Sequence, residues 1–257
     1  MSSSLIRKDA GGVTTLTLNR PDQFNALSEA LIDELTAALG AIATDSSVRV
    51  LVLAGAGRAF CAGHDLREMR ARPERAWHEA LFARCAAMMQ ALPALPQPVI
   101  ARVQGVATAA GCQLVASCDL AVASSEARFA TSGINLGLFC ATPAVAVTRN
   151  LSRKSAFELL FTGEFLSAER ARDLGLVNRV VAPERLDEAV DALARSIAEK
   201  PRDAVRAGKA LFYRQLGVTP AAAYMDAGAV MAENLSDPDA EEGIDAFLAK
   251  RPPRWRG

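Results

Sequence analysis

The stretch Val48–Met69, VRVLVLAGAGRAFCAGHDLREM, constrains the fold of this chain more than any other. Val48–Leu53 is apolar apart from Arg49. Such a run suits a strand covered on both faces, as in the parallel sheets of α/β proteins. Ala62 and Gly63 then form a small-residue turn, His64 and Asp65 follow as a polar pair, and LREM can open a helix. A strand that feeds a glycine turn and then a helix leaves backbone N–H groups free to point into a crevice. The prediction is an α/β chain with a site at this turn.

The rest of the chain supports that class. Val13–Leu18 alternates as a strand does, and NRPDQFNALS follows as a loop whose Ser28 can cap a helix running to about Ala43. Glu74–Gln90 reads as a helix with Leu81, Phe82, Cys85, Met88 and Met89 inward. Pro93, Pro96 and Pro98 precede the strand Val99–Val103. Ala109–Cys118 reads as a buried helix of small residues, and Asp119–Ser124 as the next strand. Thr142–Asn150 and Ser155–Phe161 are helical, Ser167 caps a short helix, and Leu176–Val181 is the last strand. After Arg185 only helical patterns remain, the last of them opened by Asp237 as cap and Pro238 in the first turn. Residues 1–185 are therefore read as an α/β core and 186–257 as an all-helical module.

Composition excludes several classes of partner. Twenty-nine Lys and Arg balance 29 Asp and Glu, so neither nucleic acid nor an anionic membrane is expected. No stretch approaches the roughly 20 apolar residues of a membrane span. The start of the chain lacks an apolar leader or an Arg-rich amphipathic presequence, and a cytoplasmic protein is expected. Five cysteines without a C-x-x-C spacing read as reduced core thiols, and two histidines, His64 and His78, give no metal site. GAGRAF, Gly55–Phe60, fails as a dinucleotide fingerprint because Phe60 stands at the third glycine. No phosphate-binding lysine loop and no nucleophile elbow are present.

FCAGHDLREM, Phe60–Met69, resembles the F-x-A-G-x-D-L/I-x-E-M signature of the crotonase, or enoyl-CoA hydratase/isomerase, superfamily. GVATAAGCQLVASCD, Gly105–Asp119, resembles its G-x-x-x-G-G-G-x-x-L-A-x-x-C-D signature. Within the family, HDL, TAAGCQLVASCD, FATSGINLGLFC and LFTGE look closest to the enoyl-CoA hydratase domain-containing protein 3 type. The resemblance covers essentially the whole chain. It implies an α/β, crotonase-like spiral of stacked ββα units, with residues 186–257 as a helical oligomerisation module. It also implies a homotrimer or a dimer of trimers. The implied substrate is an acyl-CoA thioester, with coenzyme A as part of that substrate and no permanently bound cofactor.

The same resemblance assigns residues. The backbone N–H groups of His64 and Ala110 are implied to form an oxyanion hole for a thioester enolate, a device whose single donors are worth about 10²–10³ in rate. Phe24, Ala26, Ala62, Gly63, Asp65, Leu66, Gly111, Ser132, Asn135 and Cys140 are implied substrate or coenzyme contacts. Arg20, Lys250 and Arg251 are candidates for the coenzyme's phosphates. Two positions depart from the hydratase pattern. Where hydratases carry two glutamates, this chain has Gln113 and Gly133. Neither can exchange a proton at neutral pH, so the ordinary hydratase route lacks its acid and base. Two expectations follow: an enzyme that stabilises an enolate with other acid/base groups, or an acyl-CoA-binding or assembly protein with little catalysis.

Overall fold

The computed structural model describes residues 3–256. The chain opens with a hairpin, β1 (Leu5–Ala10) and β2 (Val13–Leu18), joined at Gly11 and Gly12. Both glycines have positive φ, +57° and +80°, the conformation that a two-residue hairpin turn demands. β1 is mostly exposed and carries Arg7, Lys8 and Asp9, which is why no apolar pattern announces it. After α1 (Glu29–Thr44) comes β3 (Val50–Gly55), buried along its whole length. Ser28 caps α1 by accepting from the N–H of Leu31.

From β3 onward the chain repeats one manoeuvre. A strand of a large sheet is followed by a short strand of a second sheet and then by a helix. The units are β3, β4 (Ala59–Cys61), α2 (Leu66–Ala71) and α3 (Arg75–Ala94); then β5 (Val99–Val103), β6 (Val106–Thr108) and α4 (Ala110–Ser117). β7 (Leu120–Ser124) and β8 (Arg128–Ala130) follow, and a 3₁₀ turn at Ser132–Leu136 leads into α5 (Ala141–Asn150). α6 (Arg153–Thr162), β9 (Leu166–Ser167), α7 (Ala168–Asp173) and β10 (Arg179–Val181) complete the two sheets. The large sheet has the order β1-β2-β3-β5-β7-β10 and is parallel except for β1; the small one has the order β4-β6-β8-β9. Alternation between the sheets is the stacked ββα spiral that the motifs implied.

The core explains the apolar strands. Leu51 and Leu53 of β3 face the main core between the sheets and α1, α3 and α4. Val50 and Val52 face the other side, with Ile100 and Val122, and there α8 (Leu186–Ala198) covers them with Leu186, Val190, Leu193 and Ala194. The first helix beyond residue 185 thus lies on the large sheet. The last three helices are α9 (Arg202–Gln215), α10 (Pro220–Leu235) and α11 (Pro238–Leu248). α9 is tied to the sheet by a buried ion pair. Lys209 Nζ donates to Asp119 Oδ2 at 2.6 Å and to the carbonyls of Leu92 and Gln97 at 3.0 and 2.9 Å. Asp119 also accepts from Val99 N–H and Tyr213 OH, so every charge there is answered. α10 buries no side chain, and Tyr224, Met225, Met231, Phe247 and Leu248 of α10 and α11 stand largely exposed.

Candidate functional site

Three strands of the small sheet run parallel, so their carboxyl ends lie on the same edge. Cys61 of β4 pairs with Ala107 of β6, and Thr108 of β6 with Ala130 of β8. Beyond these ends lie Gly63–Asp65, Ala109–Gln113 and Ser132–Asn135, the three stretches that the motifs singled out. The first two are pressed together. A Cβ on Gly63 would lie 3.3 Å from the backbone nitrogen of Ala110 and 2.9 Å from Ala109 Cβ. A Cβ on Gly111 would lie 2.0 Å from the carbonyl oxygen of Cys61. Both positions therefore require glycine, Gly63 also because its φ is +95°.

The two N–H groups expected to act lie at this junction. Leu27 N–H donates to Gly63 O at 2.8 Å and Asp65 N–H to Leu27 O at 3.0 Å. That bridge uses the groups on either side of His64 and turns the N–H of His64 away. Ala110 is the first residue of α4, whose N–H has no acceptor within the helix. Among the described residues neither N–H has a protein acceptor. Ala109, just before, has φ +50° and ψ −119°, a region that a side chain strains to occupy. This kink turns the chain from β6 into α4.

A loop braces the first donor. Asn25 is fully buried with φ +55°; its Oδ1 accepts from Arg20 N–H, and its Nδ2 donates to Ala56 O and Ala59 O. Phe24 O accepts from Ala62 N–H at 3.0 Å, and the Phe24 ring lies under the Arg58 guanidinium. Ala26 is buried and its carbonyl accepts from Arg20, while Leu66 is exposed at the start of α2. Sequence reasoning missed Asn25; its signal was an Asn beside an apolar residue in a punctuated loop, the type that adopts left-handed φ most readily. Asp65 caps α2 by accepting from Arg67 and Glu68 N–H and pairs with Arg20 at 3.0 Å. Arg20 is thus committed to the loop rather than free for phosphates. Arg251 likewise pairs with Glu242, and Lys250 is exposed.

Apart from the Asp65–Arg20 pair, the polar side chains near the donors are uncharged. The His64 ring meets Phe82 edge-on at 5.4 Å, and both ring nitrogens are buried without a partner. Burial lowers its pKa to about 4, so the imidazole is neutral at pH 7. Gln113, 5% exposed, sits one turn into α4 with its Oε1 buried and unpartnered. Gly133 is buried, and a Cβ there would meet Leu138 O at 2.6 Å and Cys140 Sγ at 2.8 Å. The loop that Leu138 N–H closes onto Gly133 O fills the space of a side chain. Ser132 Oγ bonds Thr108 Oγ1 at 2.8 Å, and Asn135 is exposed and donates to Gly163 O. Burial pushes the Cys140 thiol up and the Cys61 thiol up to about 12, so neither is a thiolate.

The family model described as enoyl-CoA hydratase/isomerase matches residues 8–257. The chain belongs to the enoyl-CoA hydratase/isomerase family. It is 45% identical over 244 residues to the enoyl-CoA hydratase domain-containing protein 3, mitochondrial, of Xenopus laevis, covering 95% of this chain and 83% of that one. The crystal structure of an enoyl-CoA hydratase from Mycobacterium smegmatis matches with a TM-score of 0.98 and 60% identity over the full length of both chains. That of human enoyl-CoA hydratase domain-containing protein 3 matches with a TM-score of 0.96 and 42% identity, covering 98% of this chain and all of the other. Within the family the chain therefore resembles the type that its motifs implied. The Xenopus relative's name places it in mitochondria, whereas the sequence reading expected a cytoplasmic protein. Among the described residues no helix is long and apolar enough to cross a membrane.

Proposed function

We propose that the chain binds an acyl-CoA thioester and stabilises its enolate with the N–H groups of His64 and Ala110. The observation that carries this reading is the pair of acceptor-free N–H groups held together across Gly63. Negative charge that develops on the thioester oxygen needs donors fixed in advance, and the amino end of α4 adds its dipole. Ordinary hydration is not the reaction on this reading. Gln113 stands for the first carboxylate and cannot titrate, and the space of the second is filled by Leu138 O and Cys140 Sγ. The exposed apolar side chains of α10 and α11 support subunit contacts in a trimer or a pair of trimers.

The test is exchange of the acyl α-proton. A saturated acyl-CoA incubated in D₂O with the protein is expected to gain deuterium at the α-carbon, with a solvent or buffer base taking the proton and D₂O returning a deuteron, while crotonyl-CoA is not hydrated at ordinary enzymatic rates. Rapid hydration of crotonyl-CoA would overturn the reading of Gln113 and Gly133. A second reading, a binding protein with little catalysis, is favoured because the one carboxylate found beside the donors among the described residues, Asp65, is held by Arg20 and by the first turn of α2. Tight acyl-CoA binding without exchange would select it.

A further inference from the structure

Gln113 is the one amide among the buried residues of α4, Ala110–Ala116, and enolate stabilisation by His64 and Ala110 gives it no task. A buried amide ordinarily bonds to backbone or to a neighbouring side chain. Gln97 does so, with its Nε2 donating to Ile42 O at 2.8 Å. Gln113 does not. Among the described residues its Oε1 is sealed from solvent without a donor, while its Nε2 is not sealed and has no protein acceptor. The residue keeps only 5% of its surface, so this small opening is at its amide nitrogen.

Helix geometry aims that nitrogen. Gln113 follows Ala110 at helical spacing on one face of α4, and its own N–H donates to Ala109 O at 3.1 Å. Side chains on a helix lean towards its amino end and cover the preceding turn. The Gln113 amide therefore reaches back towards the acceptor-free N–H of Ala110. An unpaired donor beside a free backbone N–H, at the positive end of a helix, suits an acceptor that carries negative charge. The groups around it do not supply one. Asp65 is held by Arg20 at 3.0 Å, burial keeps the His64 ring neutral at pH 7, and Ser132 Oγ and Thr108 Oγ1 bond each other at 2.8 Å. The thiols of Cys61 and Cys140 stay protonated. A glutamate at 113 would repel an oxyanion here, whereas the amide donates to it.

We propose that the substrate is a 3-oxoacyl-CoA thioester, held as its enolate at both oxygens: the thioester oxygen by the N–H groups of His64 and Ala110, and the β-oxygen by Gln113 Nε2. This substrate class rests on the enolate reading above and deepens it. The chemistry suits a site that holds no base of its own. A carbonyl on each side of the α-carbon makes its C–H far more acidic than that of a saturated acyl thioester, so hydroxide or a buffer base suffices. That base takes the α-proton, the C–H electron pair spreads over the two oxygens, and no other bond breaks. Donors fixed in advance at both oxygens then stabilise the charge where it collects.

Acetoacetyl-CoA and butyryl-CoA differ only at the β-carbon, and titration calorimetry with the two tests this. Acetoacetyl-CoA is expected to bind about tenfold more tightly, as one added hydrogen bond allows. Binding is also expected to move the pH midpoint of its ultraviolet enolate band down by about one unit or more. In Gln113→Ala the affinity ratio is expected to fall to about one, and in Gln113→Glu lower still, because the carboxylate repels the enolate. Equal affinity in the parent, an unmoved midpoint, or a ratio kept in Gln113→Ala would overturn the role of Gln113. Tighter binding of 3-hydroxybutyryl-CoA than of acetoacetyl-CoA would overturn it too, since the amide would then present its oxygen. Infrared spectra of bound butyryl-CoA, isotopically labelled at the thioester carbonyl, separate this from the reading beneath it. A lowered carbonyl stretch without preference for acetoacetyl-CoA defeats the substrate class alone, and an unlowered stretch defeats the enolate reading with it. Should the variants fail to fold, acetoacetyl-CoA labelled at the β-carbonyl decides on the unaltered protein. A stretch lowered on binding sustains the contact with Gln113, and an unmoved one defeats it.

Discussion

Ala109→Gly is expected to make the protein more stable, which is unusual for glycine at the head of a helix. Ala109 holds φ +50° and ψ −119°, and a side chain in such a region stores about 1–3 kcal/mol of strain. Glycine relieves that strain but gains freedom in the unfolded chain, which returns about 0.5–1 kcal/mol. The lost methyl group is only partly buried and removes roughly half of the about 0.8 kcal/mol of a buried carbon. The net expectation is a gain of about 1 kcal/mol. For a chain of this size that raises Tm by about 2–4 °C. Urea unfolding followed by circular dichroism measures it, with an unchanged m-value as the sign that only stability moved. A loss of 1 kcal/mol or more would refute the reasoning, because it would mean that the methyl packs rather than strains. The same substitution removes the Cβ nearest Gly63, so acyl-CoA affinity is expected to rise or hold rather than fall.

Gln113→Glu and Gly133→Glu are expected to behave differently. Gln113 sits on a helix and accepts an isosteric exchange, whereas any Cβ at 133 strikes Leu138 O, so Gly133→Glu alone is expected to lower Tm by several degrees and to disturb the loop at Cys140. A Gly133→Glu protein that melts with the parent would refute that packing argument. The His64 ring, with its pKa lowered to about 4 by burial, stays neutral when folded but titrates near 6.5 when unfolded. The unfolded state therefore binds the extra proton between those values. The stability due to the neutral ring is whole above pH 6.5 and is lost as pH falls towards 4, by up to about tenfold in the unfolding constant per pH unit. His64→Phe is expected to flatten that dependence, and an unchanged profile would show that the ring is not the titrating group. Lys209→Met leaves Asp119 without its cation and is expected to destabilise by about 3–5 kcal/mol, whereas Lys209→Met with Asp119→Asn recovers much of the loss. A double variant no better than the single one would place the effect in packing instead.

The sequence by itself determined the units and the turns at which a site is proposed. Apolar strands, the capping residues Ser28, Asp65, Ser167 and Asp237, and the glycines at 63 and 111 are local signals, because strand burial, caps and tight approach each demand particular residues at particular positions. The α/β class followed from them, while the roles of His64 and Ala110 and the meaning of Gln113 and Gly133 came from the resemblance to the family's motifs. β1 escaped because an edge strand exposed on both faces carries charges like any loop. The tertiary structure alone decided what those residues meet. It committed Arg20 to Asp65, set Asn25 under the loop and buried the His64 ring against Phe82. It filled the space at Gly133 with the backbone of Leu138, and it laid α8 on the sheet while leaving α10 uncovered. All but the Leu138 contact, which closes a short loop, depend on segments far apart in the chain. Periodicity and motif spacing record which residues an element presents, whereas the fold sets which distant atoms they face, and so their charge state and their free valences.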